Sequence, residues 1–210
     1  MKISKLASAV FAVVGTVLLA GSVVMSFVAL GRPTTAVKPS REANDFAQSV
    51  LSALDNGDLS QVETYFYGTP SLGLEREPAT AEGKQIWSAY RDSITVTADE
   101  GCCAEGTTIY QTAQVTVLDM VEALSRLDGE AAALLNQKVE TAGDPAAVLD
   151  ENGEVPQALK DEIRAQALTQ VLADAKTVTT RITFQLVEKD GQWWALPDQA
   201  MLDVLSGAVK

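Results

Sequence analysis

Residues 177–198, TVTTRITFQLVEKDGQWWALPD, have the clearest secondary-structure pattern in the chain. Over 177–187 apolar side chains fall on one side and threonine, arginine and glutamine on the other, which is the alternation of a half-buried antiparallel strand. Lys189-Asp190-Gly191 follows with the chemistry of a tight hairpin turn, because Asp-Gly tolerates positive φ. We therefore predict that residues 192–196 return as the next antiparallel strand, which Pro197 ends.

The same kind of pattern extends upstream and downstream of this hairpin. Alternating apolar residues predict two earlier strands, over 94–98 and 108–118. Apolar residues at helical spacing predict three N-terminal helices, over 41–56, 59–67 and 81–92, and a last helix over 198–206 that Gly207 stops. The chain is thus predicted to be α+β with an antiparallel sheet.

An insertion separates the second and third predicted strands. Residues 119–173 carry two apolar seams at helical spacing, one after Asp119 and one after a polar loop that ends near Gly153. These seams predict a helical hairpin laid over one end of the sheet, with Gly129 as the expected position of a kink.

The N-terminus carries an uncharged stretch of 26 residues, 6–31. As a helix it would be about 39 Å long, which exceeds the roughly 30 Å of a bilayer's hydrocarbon core. It is also longer than the apolar run of a cleaved signal peptide. We therefore predict that residues 1–31 are a single-pass anchor in the cell membrane, bound to the bilayer through 6–31. Cleavage after Gly31 is the alternative, although Arg32 and Pro33 make that site poor.

A short tether is predicted to join the anchor to the folded domain. Residues 32–40 hold two prolines and no apolar periodicity, so they read as extended chain, and the domain is placed at 41–210. A very short N-terminal tail before a large domain favours a domain outside the cytoplasm.

Charge and composition exclude several function classes. The first 31 residues hold Lys2 and Lys5, so the rest carries 14 basic and 28 acidic side chains, a net −14. Such a domain repels phosphate backbones, and nucleic acid is excluded as a partner. The chain has no histidine, which excludes Ser-His-Asp and Cys-His catalysis and zinc sites that need imidazole. The acidic loop at 150–154 lacks the spacing of a calcium loop, so no metal is predicted.

The order of elements and the stretch TRITFQLVEKDGQWWALPD, residues 180–198, resemble the ketosteroid isomerase and nuclear transport factor two superfamily. They are most similar to membrane-attached extracytoplasmic domains of unknown function from Gram-positive bacteria. The resemblance covers roughly residues 41–207. It implies a cone of three helices packed on a curved antiparallel sheet, with inserted helices where this chain has 119–173. The shared motif is structural, so it implies no catalytic residue and no cofactor.

Two adjacent cysteines, Cys102 and Cys103, lie in the turn that joins the first two predicted strands. Outside the cytoplasm they suggest a vicinal disulfide, which is strained and easily reduced. A structural turn is the preferred explanation of the pair, and a redox switch is the functional alternative.

Aromatic residues are few and fall near the predicted contacts between helices and sheet. Core packing explains them. A small-molecule pocket is the second interpretation, and its predicted lining is Tyr65, Trp87, Tyr90, Tyr110 and Trp194.

Together these features predict a membrane-anchored extracytoplasmic binding or scaffolding module. Its partner would be another envelope protein, a peptide or a small apolar ligand. Two alternatives stay open. One is an isomerase or hydratase that uses a buried carboxylate and a tyrosine. The other is a redox-sensing envelope protein that uses Cys102 and Cys103.

Overall fold

The computed structural model describes residues 38–68, 72–74, 77–105 and 108–209. The predicted anchor and most of the tether lie outside these residues. No helix within the described ranges is long and apolar enough to cross a membrane. In chain order the helices are α1 (Arg41–Asp55), α2 (Leu59–Thr64), α3 (Ala81–Asp92), α4 (Met120–Ser125), α5 (Leu127–Ala142), α6 (Gln157–Ala173) and α7 (Gln199–Ser206).

The described strands are β1 (Thr95–Ala98), β2 (Cys103–Glu105), β3 (Thr108–Leu118), β4 (Thr177–Lys189) and β5 (Gln192–Pro197). They form one antiparallel sheet in the order β1-β3-β4-β5, with β2 also paired to β3. The turn between β4 and β5 has positive φ at both Asp190 (54°) and Gly191 (75°), as a tight hairpin requires. The predicted α+β fold with an antiparallel sheet is confirmed.

The core lies between one face of the sheet and α1, α2 and α7. The apolar side of α1, which includes Val50 and Leu54, meets side chains of the sheet such as Ile182 and Phe184, all fully buried. Five of the described α-helices begin at a residue whose side-chain oxygen accepts a backbone N–H and so fixes the start of the helix locally. These N-caps are Ser40, Asp58, Thr80, Asp119 and Asp198.

The inserted helices α4, α5 and α6 lie between β3 and β4 in sequence and pack against α3. Leu127, Ala167 and Leu168 form a second small core there. The helix interruption lies at Arg126, where α4 ends and α5 begins, so the expectation of a kink at Gly129 is corrected. The Arg126 N–H bonds to the Ala123 carbonyl three residues back, which closes α4, and Gly129 lies inside α5.

Candidate functional site

The pairing of β3, β4 and β5 decides which side chains share a face. Tyr110 pairs with Gln185, and Gln185 pairs with Leu196, so these three form a row across the sheet. Val187 and Trp194 pair in the next row on the same face. We call these five residues the outer patch, because they lie on the sheet face opposite the core cluster, which contains none of them. All five side chains are half-buried.

A second aromatic residue and a cation border the outer patch at Trp194. The backbone of residues 65–67 runs along the edge of β5, where the Tyr67 N–H donates to the Ala195 carbonyl at 3.1 Å. This places the Tyr67 ring edge-on to Trp194, with ring centroids 5.8 Å apart. The Lys189 ammonium lies 4.5 Å from the centroid of the Tyr67 ring and donates to its hydroxyl. That hydrogen bond raises the pKa of Lys189.

The outer face is the sheet face that carries the outer patch, and its far end carries hydroxyl and charged side chains that bond to one another. At the far end the hydroxyls of Thr116 and Thr179 bond at 2.8 Å. Next to them Asp99 accepts from Arg181 at 2.6 Å and from the Thr112 hydroxyl. That end is internally hydrogen-bonded.

The outer patch has open hydrogen-bonding capacity next to its aromatic rings. Within the described residues neither the Gln185 amide nor the neighbouring Gln192 amide has a hydrogen-bond partner. Each amide offers two donor hydrogens and an acceptor oxygen. The patch can therefore offer polar contacts to a ligand between its aromatic rings.

The outer face carries balanced charge on a strongly acidic chain. By the strand register, its charged side chains in the described strands are Glu105, Arg181 and Lys189. Asp99, which directly follows β1, joins them through its hydrogen bond to Arg181, so two acidic side chains face two basic ones. The whole chain has a net charge of −12. Most of the negative charge therefore belongs to other surfaces.

The five residues predicted to line a pocket are not brought together. Tyr65, Trp87 and Tyr90 pack with the core, where Trp87 stacks on Tyr90 with ring centroids 6.1 Å apart. Tyr110 and Trp194 lie on the outer face. The alternation of β3 already indicates the outer position of Tyr110, because Tyr110 is out of phase with the apolar residues of that strand.

Tyr90 is committed to a structural hydrogen bond. It is 1% exposed, and its hydroxyl donates to the Val204 carbonyl of α7 at 2.5 Å. Burial raises the pKa of Tyr90 well above its ordinary value. Gln111 is a fully buried polar residue of the described core, and its side-chain amide donates to the Thr112 carbonyl at 2.9 Å.

Cys102 and Cys103 are both free thiols, and they point to opposite sides of the sheet. Cys103 is exposed and pairs with Tyr110, which places it on the outer face. The Cys102 thiol lies on the core side, 3.4 Å from the side-chain oxygen of Gln111, and burial raises its pKa to about 11. A disulfide needs Cβ atoms about 3.8 Å apart, so a vicinal bond would require the pair to leave the extended conformation. The vicinal disulfide stays a prediction.

No group of three or more potential metal ligands occurs within the described ranges. The acidic loop at 150–154 is a turn organised by the side-chain carboxylate of Asp150. Asp150 accepts the backbone N–H groups of Asn152 at 2.8 Å and Glu154 at 3.0 Å, and these bonds lower the pKa of Asp150.

Comparisons of the chain with protein-family models, with curated proteins and with solved structures find no match.

Proposed function

We propose that the chain is a membrane-anchored extracytoplasmic module that binds a partner through the outer patch. The observation that carries this proposal is a half-exposed group of aromatic and apolar side chains around the Gln185 amide, which has no hydrogen-bond partner among the residues that the structure describes. These side chains are Tyr110, Val187, Trp194 and Leu196. Tyrosine and tryptophan are enriched at binding surfaces. They are also placed on a sheet, which is a rigid element for presenting them.

The anchored location rests on the uncharged stretch 6–31, which is long enough to span a bilayer. The finer fold belongs to the same proposal. We assign the domain to the cone-shaped nuclear transport factor two superfamily, with α1, α2 and α3 as the helices of the cone and α4 to α6 as its insertion. The support is the order of elements and the hairpin with its adjacent tryptophans.

The binding proposal does not depend on an enzymatic reaction in the core. An isomerase or hydratase of this kind would use a buried carboxylate close to a tyrosine. The buried tyrosine of the described core, Tyr90, already bonds to Val204, and the buried polar side chain next to the cysteines is an amide, Gln111. The outer patch therefore supports the proposal better than the core supports its alternative.

The exposed thiol of Cys103 offers a direct test of location. Intact cells would be treated with a membrane-impermeant phosphine and then with a membrane-impermeant maleimide. We expect labelling of the full chain in intact cells, and we expect Cys103→Ser to abolish most of it, because Cys102 is half-buried. Labelling that requires cell lysis would place the domain inside the cytoplasm and end the proposal.

Photo-crosslinking tests binding by the patch. A benzophenone side chain would replace Gln192, which is exposed beside Lys189, and in a matched control it would replace the exposed Gln137 on α5. We expect a covalent adduct in cells from the Gln192 position and none from the Gln137 position. Equal yields from both positions would contradict a binding site on the outer patch.

A further inference from the structure

We infer that the ligand of the outer patch is a neutral glycan, which stacks on Trp194 and Tyr110 and bonds to the Gln185 amide between them. This inference rests on the proposed binding function and names its ligand class. It is carried by the juxtaposition of two aromatic side chains, an amide that has no partner within the described ranges, and balanced charge.

The aromatic rings are spaced for linked sugars. Trp194 lies two strands across and one row along from Tyr110. With strands about 4.8 Å apart and rows about 6.8 Å apart, the two Cα positions are roughly 12 Å apart. In a chain of β-1,4-linked pyranoses, rings two units apart are separated by about this distance, so Tyr110 and Trp194 would contact the first and third sugars of such a chain. A pyranose has an apolar face of C–H groups that packs on an aromatic ring, and Tyr67 widens the platform beside Trp194.

The polar groups of the patch fit the edges of sugar rings. Gln185 lies in the row between Tyr110 and Leu196, and its amide has no hydrogen-bond partner within the described residues. An amide can donate to one hydroxyl and accept from another. An apolar partner, or an apolar face of a second copy, would instead bury this amide without a hydrogen bond, which is unfavourable.

Charge restricts the glycan to an uncharged one. The outer face balances Asp99 and Glu105 with Arg181 and Lys189, whereas the chain as a whole carries −12. An anionic polymer would be repelled as it approached the domain. A cationic polymer would be drawn to the acidic surfaces elsewhere. A neutral polymer experiences neither effect and can use the aromatic rings.

The test is titration of the full chain with cellotetraose and with chitotetraose, followed by tryptophan fluorescence and by calorimetry. The chain would be kept in a polyoxyethylene detergent, because maltoside and glucoside detergents carry the sugar rings under test. We expect saturable binding of at least one oligosaccharide. We expect affinity to fall about tenfold in Trp194→Ala and Tyr110→Ala, and about fivefold in Gln185→Ala.

The matched control is Gln114→Ala. Gln114 is an exposed glutamine on the same face of β3 at the internally bonded end, where it pairs with Arg181. It should leave the affinity unchanged. Circular dichroism of each variant would show that the fold is kept. Equal loss of affinity in Gln114→Ala and Gln185→Ala would overturn the assigned position.

Further outcomes separate failure of the glycan from failure of the binding function. No binding of either sugar up to about 10 mM, well above weak affinities, overturns the glycan inference. If the benzophenone at position 192 still forms an adduct, the binding function stands with another ligand. If it forms none, both fail. A dimer in sedimentation that Trp194→Ala dissociates would assign the patch to a second copy and also overturn the glycan.

Discussion

Replacement of Tyr90 by phenylalanine isolates one buried hydrogen bond of the core. The hydroxyl donates to the Val204 carbonyl at 2.5 Å. That carbonyl also accepts the Gly207 N–H at 3.2 Å, so it stays bonded when the hydroxyl is removed. The ring, stacked on Trp87, is unchanged by the substitution. We therefore expect Tyr90→Phe to lower the free energy of unfolding by about 1 kcal/mol. Tyr90→Ala, which also empties the ring site, should cost about 3–5 kcal/mol.

The difference in stability between the native chain and Tyr90→Phe should depend on pH. Burial raises the folded-state pKa of Tyr90, and an unfolded tyrosine ionises near pH 10. Tyrosine is neutral when protonated, so the folded state keeps its proton where the unfolded state loses it. The contribution of Tyr90 is therefore fully present below pH 10 and declines above it, by about 1.4 kcal/mol per pH unit. Phenylalanine has no such decline, so the two stability curves should cross between about pH 10.5 and 11.

The assay is urea unfolding followed by far-ultraviolet circular dichroism, from pH 7 to 11, with a phosphine to keep the thiols reduced. The other tyrosines are present in both proteins and affect both curves alike. Equal stabilities at pH 7 would show that the Tyr90 hydroxyl contributes nothing to folding. Curves that stay parallel up to pH 11 would show that Tyr90 ionises normally in the folded state.

Two further predictions concern the reactivity of the two thiols and the ion pairs of the inserted helices. Cys103 should react with an aromatic disulfide reagent at pH 8 at least about tenfold faster than Cys102, because burial raises the pKa of the Cys102 thiol to about 11. The rate of each thiol is measured in the variant that has serine in place of the other cysteine. Equal rates would contradict the structure. Arg164→Ala removes ion pairs to Glu82 at 3.0 Å and Asp128 at 3.1 Å, and it should cost at most about 1 kcal/mol because the pairs are partly exposed. In Arg164→Ala, hydrogen exchange should accelerate in α5 and α6 while β3 and β4 stay protected. The control Arg164→Lys should keep part of the protection in α5 and α6. Uniform acceleration across the domain would show that the inserted helices do not open separately.

Local chemistry is enough to predict most of the architecture. The alternation over 177–187 gives β4, and Asp190-Gly191 gives the turn, because each signal is contained in a few adjacent residues. Strand β2 is missed because three exposed residues, Cys103–Glu105, carry no apolar alternation and pair only through contact with β3. The break at Arg126 is missed for a similar reason: no glycine or proline marks it.

The candidate site is harder to predict, because its parts meet through long-range pairing. Alternation alone assigns Tyr110 and Trp194 each to one face of a strand. Their neighbourhood depends on the register that pairs Tyr110 with Gln185 and Gln185 with Leu196. The contact between Tyr67 and Trp194 is even harder to predict. It reaches Trp194 because residues 65–67 add to the edge of β5, and no periodicity in the sequence indicates that contact.

The contrast between the two ends of the outer face is the physical reason to assign a ligand to one of them. An antiparallel sheet with its other face on a core can leave this face polar and hydrated. Strands β3 and β4 do so at one end, where Thr116 bonds to Thr179. At the other end the same two strands and β5 carry Tyr110, Val187, Trp194 and Leu196. Strand propensity does not require this change, because threonine forms strands about as well as tyrosine, valine and tryptophan do. Strand propensity therefore leaves the difference unexplained, and the proposed binding of a partner would account for it.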